Sequence, residues 1–231
     1  MKFKELLLQG TLIKRYKRFF VDIRYKNKTI TAHCPNSGSM MGLLNEGNKV
    51  YFSKSDNPKR KLKYTIEIIV INKNFVGVNT HLSNKIVLEG LKQKKIKELS
   101  SFQNIQTEVK YSDHTRFDFL LSNSKKKCFL EVKNVTLSRK TKLAEFPDSI
   151  TSRGTKHLNE LISAKKKGYE SYMLYLIQRE DCGSFKIAKD IDEEYKIAFN
   201  KALKNKVNIL CYSCKLSNKE IKISKRINCD D

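Results

Sequence analysis

Arg116-Phe-Asp-Phe-Leu-Leu121, then Ser122 to Lys127, then Cys128-Phe-Leu-Glu-Val-Lys133 is the stretch that decides the fold. Both apolar runs alternate, and the polar segment between them supports a tight turn, so the stretch reads as an antiparallel hairpin. A turn at Ser124-Lys125 sets Asp118 opposite Glu131, Phe117 opposite Val132, Phe119 opposite Leu130 and Leu120 opposite Phe129. Directly opposed side chains leave a sheet on the same face. One face is then Phe117, Phe119, Leu130 and Val132. The other carries Asp118, Glu131 and Lys133 among Leu120 and Phe129. A slip of one residue would bury the acids in the apolar face, so the pattern specifies the register.

Two opposed carboxylates repel unless a cation intervenes. A surface ladder pairing Asp118 with Lys133 and Glu131 with Arg116 would suffice. So would a hard divalent cation, because Mg2+ takes one or two carboxylates together with substrate phosphate, and a neighbouring lysine could then stabilise charge on that phosphate. The residues leave both readings open. The acidic-x-Lys spacing does not choose, since roughly four matches are expected by chance in such a Lys-rich chain and four occur, at Glu108, Glu131, Glu194 and Glu220. Glu89 on a preceding helix, and His157 with Glu160 at i, i+3 on a following one, are further candidates for the cluster.

Outward from the hairpin, apolar periodicity predicts a helix over 86–99, strands over 105–111, 115–121 and 128–135, a helix over 155–167, a strand over 170–178, a helix over 192–205 and a last strand over 207–212. That order implies a mixed sheet flanked by helices. Residues 227–231 read as a frayed tail. The first 80 or so residues show about five short strands separated by turns and no helix, which suits a small closed barrel, with the oligonucleotide-binding (OB) type one candidate.

The chain has 231 residues, and 47 Lys and Arg against 24 Asp and Glu give a formal net charge of +23. Small soluble domains usually carry about 2–8. Most readings with a basic partner are ruled out and a polyanion is favoured. Basic residues concentrate at Lys14-Arg-Tyr-Lys-Arg18, and at Lys54, Lys59-Arg-Lys61 and Lys63 around a Pro turn. Tyr16, Phe19 and Tyr64 could stack on bases there or simply pack in the core. No helix-turn-helix reader is visible, so contacts should be mostly to phosphate and largely non-sequence-specific. No apolar run approaches the roughly 20 residues that span a bilayer. Residues 1–5 begin no signal peptide, and the six cysteines read as reduced thiols, so a cytoplasmic protein without a membrane partner is expected. Cys211-Tyr-Ser-Cys214 has metal-like spacing without a second knuckle. Nothing indicates a protein partner, and no nucleotide loop or nucleophile elbow suggests a small-molecule enzyme.

Several ordered blocks carry a resemblance: Arg15-Tyr-Lys-Arg-Phe19, His33-Cys-Pro-Asn-Ser-Gly-Ser-Met40, Ser55-Asp-Asn-Pro-Lys-Arg-Lys-Leu62, Val76-Gly-Val-Asn-Thr80, Arg116-Phe-Asp-Phe119, Glu131-Val-Lys-Asn-Val-Thr-Leu137, Phe146-Pro-Asp148 and Thr151-Ser-Arg-Gly-Thr-Lys-His-Leu158. Nearly the whole chain resembles the sugar fermentation stimulation protein A (SfsA) family, with small departures at Ser37 and Ser149-Ile150. The resemblance implies an OB-like nucleic-acid-binding domain over 1–83 and a PD-(D/E)XK nuclease-like domain over 84–231. Asp118, Glu131 and Lys133 would be the signature acid, acid and lysine, and Glu89 the glutamate of the first helix. Asp118 and Glu131 would hold Mg2+ or Mn2+. Arg15, Tyr16, Lys17, Arg18, Lys59, Arg60, Lys61 and Arg153 would contact the nucleic acid. It further implies DNA binding linked to sugar (maltose) gene regulation. A non-catalytic DNA-binding regulator and an RNA-binding factor stand as the alternatives to a nuclease.

Overall fold

The computed structural model describes residues 1–113 and 115–231. Six strands come first: β1 (Leu8–Tyr16), β2 (Phe20–Tyr25), β3 (Lys28–His33), β4 (Lys49–Lys54), β5 (Tyr64–Ile71) and β6 (Asn74–Gly77). Their order is β3-β2-β1-β4-β5-β6, and a further pairing of β3 with β5 closes β1 to β5 into a five-stranded barrel. Strands β2 and β3 are joined by a two-residue hairpin with Lys26 and Asn27 at positive φ, the backbone that matches strand twist. Leu12, Val21, Ile23, Val50, Phe52 and Ile66 fill the barrel. The alternation is thus real, but β1 is an additional strand that the sequence did not announce.

A short 3₁₀ turn at Thr80–Leu82 leads into α1 (Ser83–Lys92), which stops earlier than periodicity suggested, a second such turn following at Lys97–Leu99. Then come β7 (Asn104–Ser112), β8 (Thr115–Ser122), β9 (Lys127–Val135), β10 (Leu137–Lys140), β11 (Leu143–Phe146), α2 (Ser152–Lys166), β12 (Glu170–Ile177), β13 (Ser184–Ile187), α3 (Glu193–Lys204), β14 (Asn208–Leu216), β15 (Ile221–Arg226) and β16 (Asn228–Cys229). The main sheet runs β15-β14-β12-β9-β8-β7, with β12 parallel to both β9 and β14 and the outer neighbours antiparallel. One face packs on α2 and α3 through Leu158, Leu161, Tyr195 and Phe199. The other packs on α1 through Ile86, Val87 and Leu91. Cys211 belongs to the first of these clusters and Cys214 to the second, so they cannot share an ion.

The tail is docked rather than frayed. β16 pairs with β13, Ile227 is buried, and the Asp231 carboxylate accepts the Ile187 N–H at 2.6 Å. At the other end, residues 1–7 bridge the two units: Phe3 and Leu7 donate to the Lys219 and Asn218 carbonyls of the second unit, while Lys4 pairs with Asp56 of the barrel. Among the described residues no helix is long and apolar enough to cross a membrane.

Candidate active site

The β8–β9 hairpin has the expected register where the ladder is intact: Phe119 faces Leu130, Leu120 faces Phe129 and Leu121 faces Cys128. The ladder ends there. At Asp118 the side chain replaces the partner strand, and its Oδ2 accepts the Val132 N–H at 2.8 Å. The local twist moves Phe117 to the face of α2 and α3, while Phe119, Leu130 and Val132 stay on the face of α1. Phe117 therefore does not share a face with Phe119. Phe129 and Leu120 are core as well, packed on the same side as Phe117.

Asp118 Oδ1 accepts from Asn84 Nδ2 at 2.7 Å, and the same amide lies 3.3 Å from Glu108 Oε1. Glu131, only 3% exposed, receives Lys133 Nζ on Oε1 at 2.8 Å and His157 Nδ1 on the same oxygen. Lys133 Nζ stands 3.2 Å from His157 Nδ1. Arg153 Nε approaches the far ring nitrogen at 3.5 Å, an arrangement that assigns the acceptor role to Nε2 and the proton to Nδ1. The second oxygen of Glu131, Oε2, is buried without a hydrogen-bond partner among the described residues. Buried acceptors of this kind are uncommon and cost stability. Burial, and next the charge of Glu131, push the Asp118 carboxyl up to about 7, against the opposing Val132 N–H, Asn84 and Lys133. Burial also raises Glu131, but Lys133 and His157 outweigh it and hold that carboxyl below its ordinary value. Two neighbouring acids are thereby driven apart, as active sites often require.

The other candidates divide. His157 joins the cluster. Glu160 shares its helix face but turns to the start of β8, where it accepts from Thr115 Oγ1 at 3.3 Å. Glu89 is not in the cluster. It sits farther along α1, beside Ile223 and Lys222, and pairs with the N-terminal ammonium of Met1. The α1 residue that reaches the acids is Asn84, which sequence reasoning missed. Arg116 also departs from the expected ladder: its guanidinium donates to the Glu108 carbonyl at 2.9 Å rather than to Glu131. An open cleft of about 890 Å³ reaches His157 between Thr115, Arg116, Arg153 and Lys156.

Comparison with known proteins places the chain in a family. The family model described as the sugar fermentation stimulation protein RE domain matches residues 81–220, and that of the SfsA N-terminal OB domain matches residues 13–78. The chain belongs to the sugar fermentation stimulation protein family. It is similar to the sugar fermentation stimulation protein homolog of Pelagibacter ubique, 57% identical over 227 residues and 98% of each chain. The homolog of Ruegeria sp. is 45% identical over 226 residues, covering 96% of this chain and 97% of its own. The solved structure of Pyrococcus furiosus SfsA in complex with Ca2+ shares the fold, with a TM-score of 0.90, 22% identity and coverage of 100% and 98% of the two chains.

In this SfsA-family barrel the expected contact residues fall into two groups. Arg15 is a brace, its guanidinium donating to the carbonyls of Arg18 at 2.7 Å, Asn36 at 2.7 Å and Gly38 at 2.9 Å. Arg60 is half-buried and donates to Thr65 Oγ1 at 2.7 Å. Tyr16 lies against Phe20 and Tyr64 against Phe52. Lys17, Arg18, Lys59 and Lys61 are exposed. Between the barrel and the second unit lies a cleft of about 930 Å³, walled by Arg15 to Arg18 on one side and by Asn134 to Leu137 and Phe146 to Thr151 on the other. Asn134 directly follows Lys133 in β9, but its side chain meets Ser83 and Gln178 rather than the carboxylate cluster. The Asp148 carboxylate crosses the junction to accept the Met40 N–H at 3.1 Å and leaves no room for a side chain at Gly38.

Proposed function

We propose that the protein binds nucleic acid and hydrolyses its phosphodiester bonds with a divalent cation, the second unit acting as a PD-(D/E)XK-type nuclease. The observation that carries this reading is the buried Asp118–Glu131–Lys133–His157 cluster, with an unpartnered Glu131 oxygen and an Asp118 carboxyl raised by its neighbour's charge. Both features are what a cation would relieve. Among the described residues no set of three or more His, Cys, Asp and Glu side chains is grouped to hold an ion. A site of two carboxylates suits Mg2+ or Mn2+, which keep water and take substrate phosphate for the rest of the shell. The solved Pyrococcus furiosus relative in complex with Ca2+ supports a divalent ion of this hard, oxygen-seeking class.

Asp118 and Glu131 would hold the cation, and when bound it supplies charge neutralisation at phosphate and acidifies water. The chain's own side chains do the rest. Lys133, which pairs with Glu131 Oε1 and leaves Oε2 to the cation, would place an ammonium against charge developing on phosphate. His157, held from behind by Arg153, keeps the Glu131 carboxylate in position. Lys17, Arg18, Lys59 and Lys61 grip the backbone without reading sequence. The test is cleavage of labelled single- and double-stranded DNA in Mn2+ by the wild type and by Asp118→Asn. Cleavage by the first and not the second is expected; equal activity in both, or none in either, overturns the reading.

One observation favours a second reading. Glu131 Oε1 already has its cation in Lys133, an ion pair that is self-sufficient without metal. A DNA-binding regulator that keeps this fold without turnover would bind with strong salt dependence and cleave with no ion. Whether the nucleic acid is DNA or RNA is decided by competition between the two at fixed salt.

A further inference from the structure

Three rings stand in a row on the barrel's outer surface where it meets α1. Phe19, 43% exposed at the β1–β2 tip, lies 6.5 Å from His33, and His33 lies 6.5 Å from His81, with interplanar angles of 37° and 50°. The rings are tilted rather than stacked, so they do not pair face to face with one another. The row is built from three separate segments, and backbone bonds hold it. The Phe19 carbonyl accepts the Cys34 N–H at 2.8 Å, which fixes the tip beside β3. Thr80 Oγ1 donates to the Pro35 carbonyl at 2.7 Å and Asn79 Oδ1 accepts the His81 N–H at 3.1 Å, which fix the 3₁₀ turn on the other side. Arg60 Nη2 lies 3.5 Å from His33 Nδ1, and the sequence neighbours of these residues, Arg18 beside Phe19, Lys59 and Lys61 beside Arg60, and Lys85 in the first turn of α1, are exposed. Burial, then Arg60 and His81, hold the His33 imidazole below its ordinary range, so at neutral pH it presents an uncharged ring.

Open ring faces among exposed cations suit unpaired bases joined by a phosphate backbone. A duplex keeps its base faces inside its own stack and offers them nothing. We propose that Phe19, His33 and His81 form a stacking row for the unpaired bases of single-stranded DNA, and that the strand leaving this row is the one delivered to Asp118 and Glu131. The second half rests on the nuclease reading, and the first does not. The direction follows from the chain itself. Asn84, which donates to Asp118, is three residues beyond His81, so the row ends about one helical turn from the residue that holds Asp118.

The test is fluorescence anisotropy of a labelled oligo(dT) strand in EDTA, where no metal-dependent cleavage can occur. Phe19→Ala, His33→Ala and His81→Ala should each weaken binding by roughly fivefold or more. The slope of affinity against salt should be unchanged in Phe19→Ala and His33→Ala, because a neutral ring releases no counterions. His33→Phe and His81→Phe should restore binding, which separates stacking from damage to the fold. A duplex of equal length should bind more weakly and ignore all three substitutions. Unchanged oligo(dT) affinity in the triple alanine variant, with its melting temperature intact, overturns the row whatever the enzyme does in Mn2+. If wild type cleaves subsaturating single strands and the triple variant does so equally fast, delivery to Asp118 and Glu131 is overturned while the nuclease reading stands.

Discussion

On the barrel, Lys17, Arg18, Lys59 and Lys61 stand in solvent, whereas at the end of β9 the Lys133 ammonium and the Glu131 carboxylate meet at 2.8 Å with side chains 13% and 3% exposed. The same charge types have different physical weight in the two places. Exposed charges are screened within about 8–10 Å at ordinary salt, and they steer a polyanion without holding the fold. The buried pair is little screened, and removing either partner strands the other. Substitutions on the barrel should therefore read out in binding, and those at the cluster in stability and chemistry.

The sharpest way to break this contrast is Glu131→Gln. It leaves Lys133 buried without its counter-charge, and a loss of about 3–5 kcal/mol is expected in denaturant unfolding, together with loss of any metal-dependent cleavage. A loss below about 1 kcal/mol would place the pair with the surface ion pairs.

Asp118→Asn should act in the opposite direction on stability. The folded carboxyl titrates at about 7, against an ordinary value of 3.8. The folded state thus holds its proton where the unfolded chain has lost it, and stability falls as pH rises from about 4 through about 7. In metal-free buffer near pH 8 the asparagine variant should be more stable than wild type by about 1–2 kcal/mol, part of the full shift at about 1.4 kcal/mol per unit. The difference should vanish near pH 4. Melting temperatures across that range measure it, and Mn2+ should raise the wild-type value at pH 8 without raising the variant's.

Smaller effects test the placement of individual residues. Glu89→Gln breaks only the contact with the Met1 ammonium, so it should cost no more than about 1 kcal/mol and leave cleavage intact. Lys59→Gln and Lys61→Gln should change stability by less than about 0.5 kcal/mol. Each should instead reduce the salt slope of DNA binding by about 1.

Legibility in the sequence follows the same division. The hairpin register was readable because alternation and the two acids leave a single parity that keeps charge out of the apolar face. The position of Phe117 was not, since it depends on Asp118 capturing the Val132 N–H, a tertiary bond with no local signature. β1 was obscured by Gly10, which the chain uses for close approach to Ile23 and the Arg24 carbonyl, and by the Lys14–Arg15 pair at its end. β10, β11, β13 and β16 are at most four residues long, too short for a period to register. At the cluster, strand pairing brought Asp118, Glu131 and Lys133 together, the family resemblance gave them their expected roles, and His157 was one of two candidates with Glu160 on the following helix. Asn84 was not, because asparagine in a first helical turn usually serves the helix itself. Arg15 and Arg60 were read as binding residues because nothing in the sequence shows that their partners are carbonyls and a hydroxyl of the barrel's own loops and strands.

The central claim is that Asp118 and Glu131 share a divalent cation. A crystal soaked in Mn2+ and measured at the manganese absorption edge tests it directly. An anomalous peak between the Asp118 carboxylate and Glu131 Oε2 is expected. No peak there would contradict it.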